Sequence, residues 1–478
     1  MKTPSPRNPL IAVVSAVLIL IFLSLMPWGK LSGNFFKDFN ILEDICTVKT
    51  DIQADGEIVD PELVALLNGP EDDANSSVAE TQTHAGEFAE NDSCGYESVD
   101  EISVVEDIPE EISPRIGDLV VIEDYSTGRP ALSRFSNAIR ESSSRPVRIA
   151  MIGDSYIEGD VFSQNIRENL QSIYGGRGAG YQMMHTDIPG FRQSVSQTDK
   201  GWTAHDIRNS SRESCKWLAG EYYSGGSGAT STYKGVKRLQ HADAWNRNMF
   251  LFIAPKGGTV SITTDSGTQD FAVAASDSVQ CIDFVEETTK FSIKNNTGEM
   301  TALGVWLSDN TGIVFDCMSL RGNSGITHRK LDEDLARQMS EFVPYDLIIV
   351  EYGINALSSS QKDYSKYGKY MEEVVNTLKA CYPEADILLM GIGDRGQKSG
   401  SEVHSLSTAS NMVSTQRAVA RRCGIAFWDT REAMGGDDAI VNWRERKLVN
   451  ADYIHLNHKG GEELARLFVD ALKNYLSQ

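Results

Sequence analysis

A serine, a histidine and a carboxylate can together open an ester, and this chain carries one of each in places that suit the work. Ser155 lies within the run Arg145-Pro-Val-Arg-Ile-Ala-Met-Ile-Gly-Asp-Ser-Tyr-Ile-Glu-Gly-Asp160. Asp452 and His455 lie three apart in Ala451-Asp-Tyr-Ile-His-Leu-Asn-His458. At that spacing the carboxylate can receive a ring N–H of the imidazole, leaving the other ring nitrogen to take a proton from a serine hydroxyl. Acyl transfer also needs donors for the oxyanion. Gly325, with no side chain to block its N–H, and Asn355, with a short carboxamide, are the candidates, together with the N–H of Ser155.

Each residue also has an ordinary reading. Ser155 would serve as an N-cap, Gly325 as a turn glycine, Asn355 as an Asx-turn and Asp452 as a helix cap. His455 and His458 would pair as metal ligands, but no acid or cysteine motif accompanies them, and no metal is expected. What favours chemistry is that all five stand, in order, where strands end.

Those strands can be read from apolar runs. Val147–Ile152 is bounded by Pro146 and Gly153 and reads as a buried strand, followed by a helix with Phe162, Ile166, Leu170 and Ile173 on one face. Leu347–Val350, Ile387–Met390 and Ile425–Trp428 are further buried strands. Helices are expected between them over Thr327–Phe342, around Tyr367–Leu378 and around Met412–Arg421, and a last one carries Leu464, Phe468 and Leu472. Strands alternating with helices imply a mainly parallel sheet covered on both faces, with its chemistry at the carboxyl ends of the strands.

Between about 186 and 316 the texture changes. Short β-rich runs such as Phe250–Ile253, Thr259–Thr263, Val279–Phe284 and Ala302–Leu307 recur at sandwich-like spacing. This stretch reads as a jelly-roll-like insertion. Trp202, Trp217, Trp245 and Trp306 lie in or beside it and are candidates for stacking on sugar rings if exposed. The glycine-rich Tyr174-Gly-Gly-Arg-Gly-Ala-Gly-Tyr181 lacks the spacing of a phosphate-binding loop and reads as a tight exit from the preceding helix.

The net charge of −22 is unevenly placed. Asp51 to Glu111 holds nineteen Asp and Glu and no Lys or Arg, so nearly all the net charge belongs there. That stretch reads as a disordered, self-repelling spacer in which Pro61–Leu67 is a possible short helix. No basic stripe suggests a nucleic-acid partner. Leu10–Trp28 is nineteen residues without charge, long enough to cross a bilayer. A cleaved signal peptide competes with that reading, but no small-x-small cleavage site follows, and an uncleaved anchor is expected. Its flanking charges favour a body outside the cytoplasm. The seven cysteines are scattered with no Cys-x-x-Cys, and Cys317, Cys381 and Cys423 read as packed thiols.

Gly153-Asp154-Ser155, a glycine within Asn323-Ser-Gly-Ile-Thr327, Gly353-x-Asn355 and Asp452-x-x-His455 resemble the four blocks of the SGNH (GDSL-like) hydrolase superfamily. The resemblance spans about 145–185 and 315–478. It implies a flavodoxin-like three-layer α/β/α fold with Ser155 as nucleophile, His455 as base and Asp452 as the acid that orients it. The oxyanion hole would be the N–H groups of Ser155 and Gly325 with the side chain of Asn355; Gly322 is the alternative glycine. No cofactor is implied. Ala356 departs from members that carry Asp after the block-three asparagine. Tyr352-Gly-Ile-Asn-Ala356 is instead similar to peptidoglycan O-acetylesterases, which also carry an inserted β domain. The expected organisation is an anchor at 1–30, a linker at 31–115, hydrolase parts at 116–185 and 317–478, and the insertion at 186–316. The expected partners are the membrane and an acetylated glycan in the cell envelope.

Overall fold

The apolar run after Pro146 forms the second strand of a six-stranded sheet. Its members are β1 (Glu123–Asp124), β2 (Pro146–Gly153), β3 (Gly312–Ser319), β4 (Leu347–Glu351), β5 (Asp386–Met390) and β6 (Ala426–Trp428). They lie in the order β3-β2-β4-β5-β6-β1, and only β1 runs antiparallel to its neighbour. The computed structural model describes residues 114–208 and 215–478, together with Leu63, all within the unit Glu57–Gln478. The expected anchor at Leu10–Trp28 and all of the acidic spacer except Leu63 lie outside the described residues. Among the described residues no helix is long and apolar enough to cross a membrane.

The helices are α1 (Ser133–Arg140), α2 (Ser163–Tyr174), α3 (Glu333–Ser340), α4 (Ser365–Cys381), α5 (Ala409–Cys423), α6 (Thr430–Met434), α7 (Ala439–Glu445) and α8 (His458–Leu476). α2 packs on α8, and α4 packs on α5. The chain runs from β2 outward to β3 and then crosses back to β4. Right-handed crossovers therefore place successive helices on opposite faces and open a crevice between the loops that leave β2 and β4. Those loops carry Ser155 and Asn355. The flavodoxin-like expectation holds. α2 begins eight residues after Ser155, not at it, and Ile173, expected on its apolar face, is exposed.

The insertion is an antiparallel nine-stranded array. Its strand Trp245–Ala254 alternates between two cores. Phe250 and Phe252 face the insertion's own interior, while Met249, Leu251 and Ile253 belong to the hydrolase core. A bulge between Ala302 and Gly304 resets the neighbouring strand, so Met300, Ala302, Val305 and Leu307 all face inward and Leu303 and Trp306 face the hydrolase. A strand buried on both sides reads as one continuous apolar run, as Phe250–Ile253 does. The insertion's strands begin earlier and end earlier than expected, from Gly180–Gln182 to Met300–Ser308, and Gly312–Phe315 belongs instead to the central sheet as part of β3. The four tryptophans are no sugar platforms. Trp202 and Trp245 fill the insertion's core, and Trp217 and Trp306 pack around Tyr181 in the hydrolase core; all four are buried.

The glycine-rich run lies against β3 and the insertion. A Cβ on Gly176 would lie 2.7 Å from the Ile313 backbone, and one on Gly178 or Gly180 would lie 2.3 Å from the Leu307 or Phe315 carbonyl. No larger residue fits such backbone-to-backbone contact. Asp316, fully buried on β3, fastens the same seam by accepting Tyr181 N–H at 2.8 Å, Trp306 Nε1–H at 2.8 Å and Tyr345 O–H at 2.9 Å. Cys281, Cys317, Cys381 and Cys423 are free thiols; Cys317 and Cys381 are buried and Cys423 is partly so.

Candidate active site

β2 delivers Ser155 into the crevice two residues after it ends. Gly153 is required there, since a Cβ would lie 2.7 Å from the Glu351 carbonyl on β4. The loop before α8 brings His455 across, with Ser155 Oγ 2.9 Å from His455 Nε2. Asp452 Oδ2 lies 2.9 Å from His455 Nδ1, and Asp452 Oδ1 accepts the N–H groups of Ile454 at 2.9 Å and His455 at 3.1 Å. Burial would raise the Asp452 carboxyl, but the His455 side chain and those N–H groups outweigh it and hold it below its usual range. An ionised carboxylate only accepts, so Nδ1 carries the proton and Nε2 is free to take the serine's. Ser155, Asp452 and His455, three hundred residues apart at their extremes, thus stand in line as donor, base and orienting acid.

The oxyanion donors differ from expectation. Gly325 N–H donates to Asn323 Oδ1 at 2.7 Å and is therefore occupied. Gly325 is needed for another reason: at φ +91°, a Cβ would lie 2.7 Å from the Tyr352 ring. Gly322, with φ +71°, has only Arg208 Nη1 near the place of a Cβ, at 3.6 Å. Among the described residues neither its N–H nor that of Ser155 has a hydrogen-bond partner. Asn355 sits on the short turn Ile354–Ala356 beyond β4, and its Nδ2 donates to Asp154 Oδ2 at 2.8 Å and to the Asn323 carbonyl at 3.1 Å. Of the candidate backbone donors, Ser155 N–H and Gly322 N–H are thus unengaged among the described residues, while the Asn355 amide is held by Asp154 and Asn323. His458, the other member of the discarded metal pair, meets Gln164 instead, at 3.1 Å.

Sequence reasoning passed over two carboxyls beneath the serine. Asp154 is fully buried and accepts Tyr156 N–H at 2.9 Å as well as the Asn355 amide. Glu351 is buried next to it, and neither of its carboxyl oxygens has a hydrogen-bond partner. Burial pushes both carboxyls up, and the Asp154 charge raises Glu351 further; Tyr156 N–H, His455 and the Asn355 amide pull Asp154 part of the way back, whereas Glu351 has no donor among the described residues to stabilise a charge. An acid at the end of a buried strand, Val350-Glu351, was the available signal.

These two groups set a stability slope. Their ordinary values are 3.8 and 4.5, so above about pH 4 the unfolded chain releases protons that the folded chain retains. The contribution of these two groups to folding stability therefore falls as pH rises toward neutrality. Glu351→Gln, neutral at every pH, should remove the Glu351 share, up to about 1.4 kcal/mol per pH unit. Urea midpoints at about pH 5 and about pH 8 would read it. An equal difference in the variant would mean that Glu351 is ionised in the fold.

Residues 288–462 match the model of the GDSL-like lipase/acylhydrolase family. The chain carries a GDSL-like hydrolase domain. The matched span holds Gly322, Asn355, Asp452 and His455 and leaves out Ser155, which the insertion separates from it in sequence. This domain makes the protein a carboxylic ester hydrolase. A solved peptidoglycan O-acetylesterase is similar in fold, with TM-score 0.62 and 22% identity over 74% of this chain and 99% of that one. A family two carbohydrate esterase from Cellvibrio japonicus matches at TM-score 0.26 and 12% identity, over 59% of this chain and 99% of its own. No curated protein sequence matches the chain.

Proposed function

We propose that the GDSL-like domain is a serine esterase that removes O-acetyl groups from a cell-envelope glycan, with peptidoglycan the leading candidate. The observation that carries the chemistry is the line from Ser155 Oγ through His455 to Asp452, with both distances 2.9 Å. Ser155 attacks the acetyl carbonyl as His455 Nε2 takes its proton. The tetrahedral oxyanion sits against Ser155 N–H and Gly322 N–H, and Asn355 turns its longer bond, the one to Asn323, toward it. His455 then hands the proton to the sugar oxygen as its bond to the acetyl carbon breaks, releasing the sugar hydroxyl and leaving acetyl-Ser155. A water activated by the same nitrogen releases acetate and restores the serine.

The likeness to a peptidoglycan O-acetylesterase over 74% of this chain supports the glycan part of the reading. The uncharged Leu10–Trp28 supports placing the enzyme on a membrane with its body outside the cytoplasm. Transfer of the acetyl group to a second sugar would use the same intermediate.

The test is release of acetate from O-acetylated peptidoglycan by the full chain, followed by product analysis. Wild type should yield free acetate, and Ser155→Ala should yield none above background. Acetate release unchanged in Ser155→Ala would remove the serine from the reaction. Acetyl groups recovered on added sugar rather than in solution would make the enzyme a transferase.

A further inference from the structure

Two large apolar side chains stand out on the insertion's first loop, between its strands Gly180–Gln182 and Ser196–Asp206. Phe191 is 41% exposed and Ile188 is 40% exposed, three residues apart on the loop before the strand Ser196–Asp206. Single exposed hydrophobics are common on protein surfaces. This pair differs because Phe191 is packed on the turn that follows the nucleophile, and Phe191 N–H donates to the Ile188 carbonyl at 3.2 Å. The turn Glu158–Asp160 follows Ser155 directly, and Glu158 N–H reaches back to the Ser155 carbonyl at 3.4 Å. The Phe191 ring lies over Gly159 so closely that a Cβ there would be 2.3 Å from Cδ1.

The next residues fix the loop in place. Arg192 donates to Asp160 at 3.1 Å and to the carbonyls of Tyr181 and Ala179 at 3.1 Å each, and Ser194 also donates to Asp160. Asp160 is fully buried, at φ +65°, and also receives Arg167. Burial would raise its carboxyl, but the two guanidinium groups outweigh that and hold it well below the usual range, so this anchor stays charged. An apolar ring presented to water on an anchored loop keeps no ordering entropy in reserve, so a ligand that covers it has little to immobilise.

We propose that Phe191, with Ile188 beside it, is the ledge on which the sugar ring bearing the acetyl ester stacks while its carbonyl faces Ser155. This rests on the glycan-esterase reading above and names the part of the site that would recognise the glycan. The rim chemistry separates a sugar from an acyl chain as the occupant. Glu158 pairs with Arg321 along the same rim, with Arg321 Nε 3.1 Å from Glu158 Oε1. A hydrocarbon chain crossing the rim would strip water from those charges without return, whereas a sugar offers hydroxyls to them and a carbon face to the ring.

The full chain would be assayed on chemically O-acetylated chitopentaose, p-nitrophenyl acetate and p-nitrophenyl octanoate. Phe191→Ala should lower kcat/KM for the acetylated oligosaccharide about tenfold, chiefly through KM, and leave p-nitrophenyl acetate within about twofold. Phe191→Tyr, which keeps the ring, should restore most of the loss, and Ile188→Ala should show a smaller loss of the same selective kind. An equal fall on the oligosaccharide and on p-nitrophenyl acetate would overturn the ledge in favour of a structural role. A fall confined to the octanoate would make it an acyl-chain site. Oligosaccharide turnover by wild type that Ser155→Ala abolishes and Phe191→Ala leaves intact would sink the ledge alone. Wild-type turnover of p-nitrophenyl acetate with none of the oligosaccharide would sink the glycan reading, and the ledge with it.

Discussion

His455→Ala should lower kcat about 10⁴-fold or more with little change in KM, and Ser155→Ala should fall to the same floor. The imidazole touches the serine hydroxyl at 2.9 Å, and the described site offers no other base at that oxygen. Without it the hydroxyl keeps its proton, and attack must proceed from a poor nucleophile. The two residues act as one unit, so the double variant should be no slower than either single one. Asp452→Ala should be milder by one to two orders of magnitude, since it removes the orientation of Nδ1–H and leaves the base in place. Initial rates on p-nitrophenyl acetate would decide. Losses that multiply in the double variant would show two independent contributions and break the triad.

Asn355→Ala should cost about 10²- to 10³-fold in kcat, the range for loss of one oxyanion donor. The side chain does two things, and they can be separated. Its bond to Asp154 at 2.8 Å holds the loop under Ser155, and its bond to the Asn323 carbonyl at 3.1 Å is the one an oxyanion would replace. Truncation also strips Asp154 of a donor, which should push that buried carboxyl further up. If the loss were purely structural, KM and thermal stability would suffer along with kcat. A donor role predicts a loss in kcat alone, and a fall of less than about fivefold would leave the oxyanion to Ser155 N–H and Gly322 N–H.

The central sheet was largely legible because its parallel strands are buried on both faces. Val147–Ile152, Leu347–Val350 and Ile387–Met390 are unbroken apolar runs, and all three lie within observed strands. The insertion was half legible. Of Trp245–Ala254 the part Phe250–Ile253 was read, because both its faces are buried, whereas Ser196–Asp206 and Glu221–Lys234 went unread. The first is mostly exposed and polar, and the second carries Ser-Gly-Gly-Ser-Gly, so neither shows the alternation that marks a strand. At the site, Ser155, Asp452 and His455 could be read from type and spacing because their chemistry demands those side chains. Gly322 and Gly325 could not be separated that way. A backbone N–H has no signature in sequence, and only the position of the Asn323 side chain shows which of the two is occupied.

The seam between the glycine-rich run and β3 gives that run a second meaning. β3 is the outermost parallel strand, and Ile313 N–H already bonds outward to the Gly175 carbonyl at 2.8 Å, with the Ile313 carbonyl taken by Gln171 at 3.2 Å. Stripped of that cover, its outer row of peptide groups would be an open template for any other extended chain, the hazard that exposed sheet margins carry. The end of α2 and its glycine-rich exit are thus the guard that keeps this strand from pairing with other copies of the chain. A minimal catalytic core that cut into that exit would retain every catalytic side chain and still be prone to aggregate.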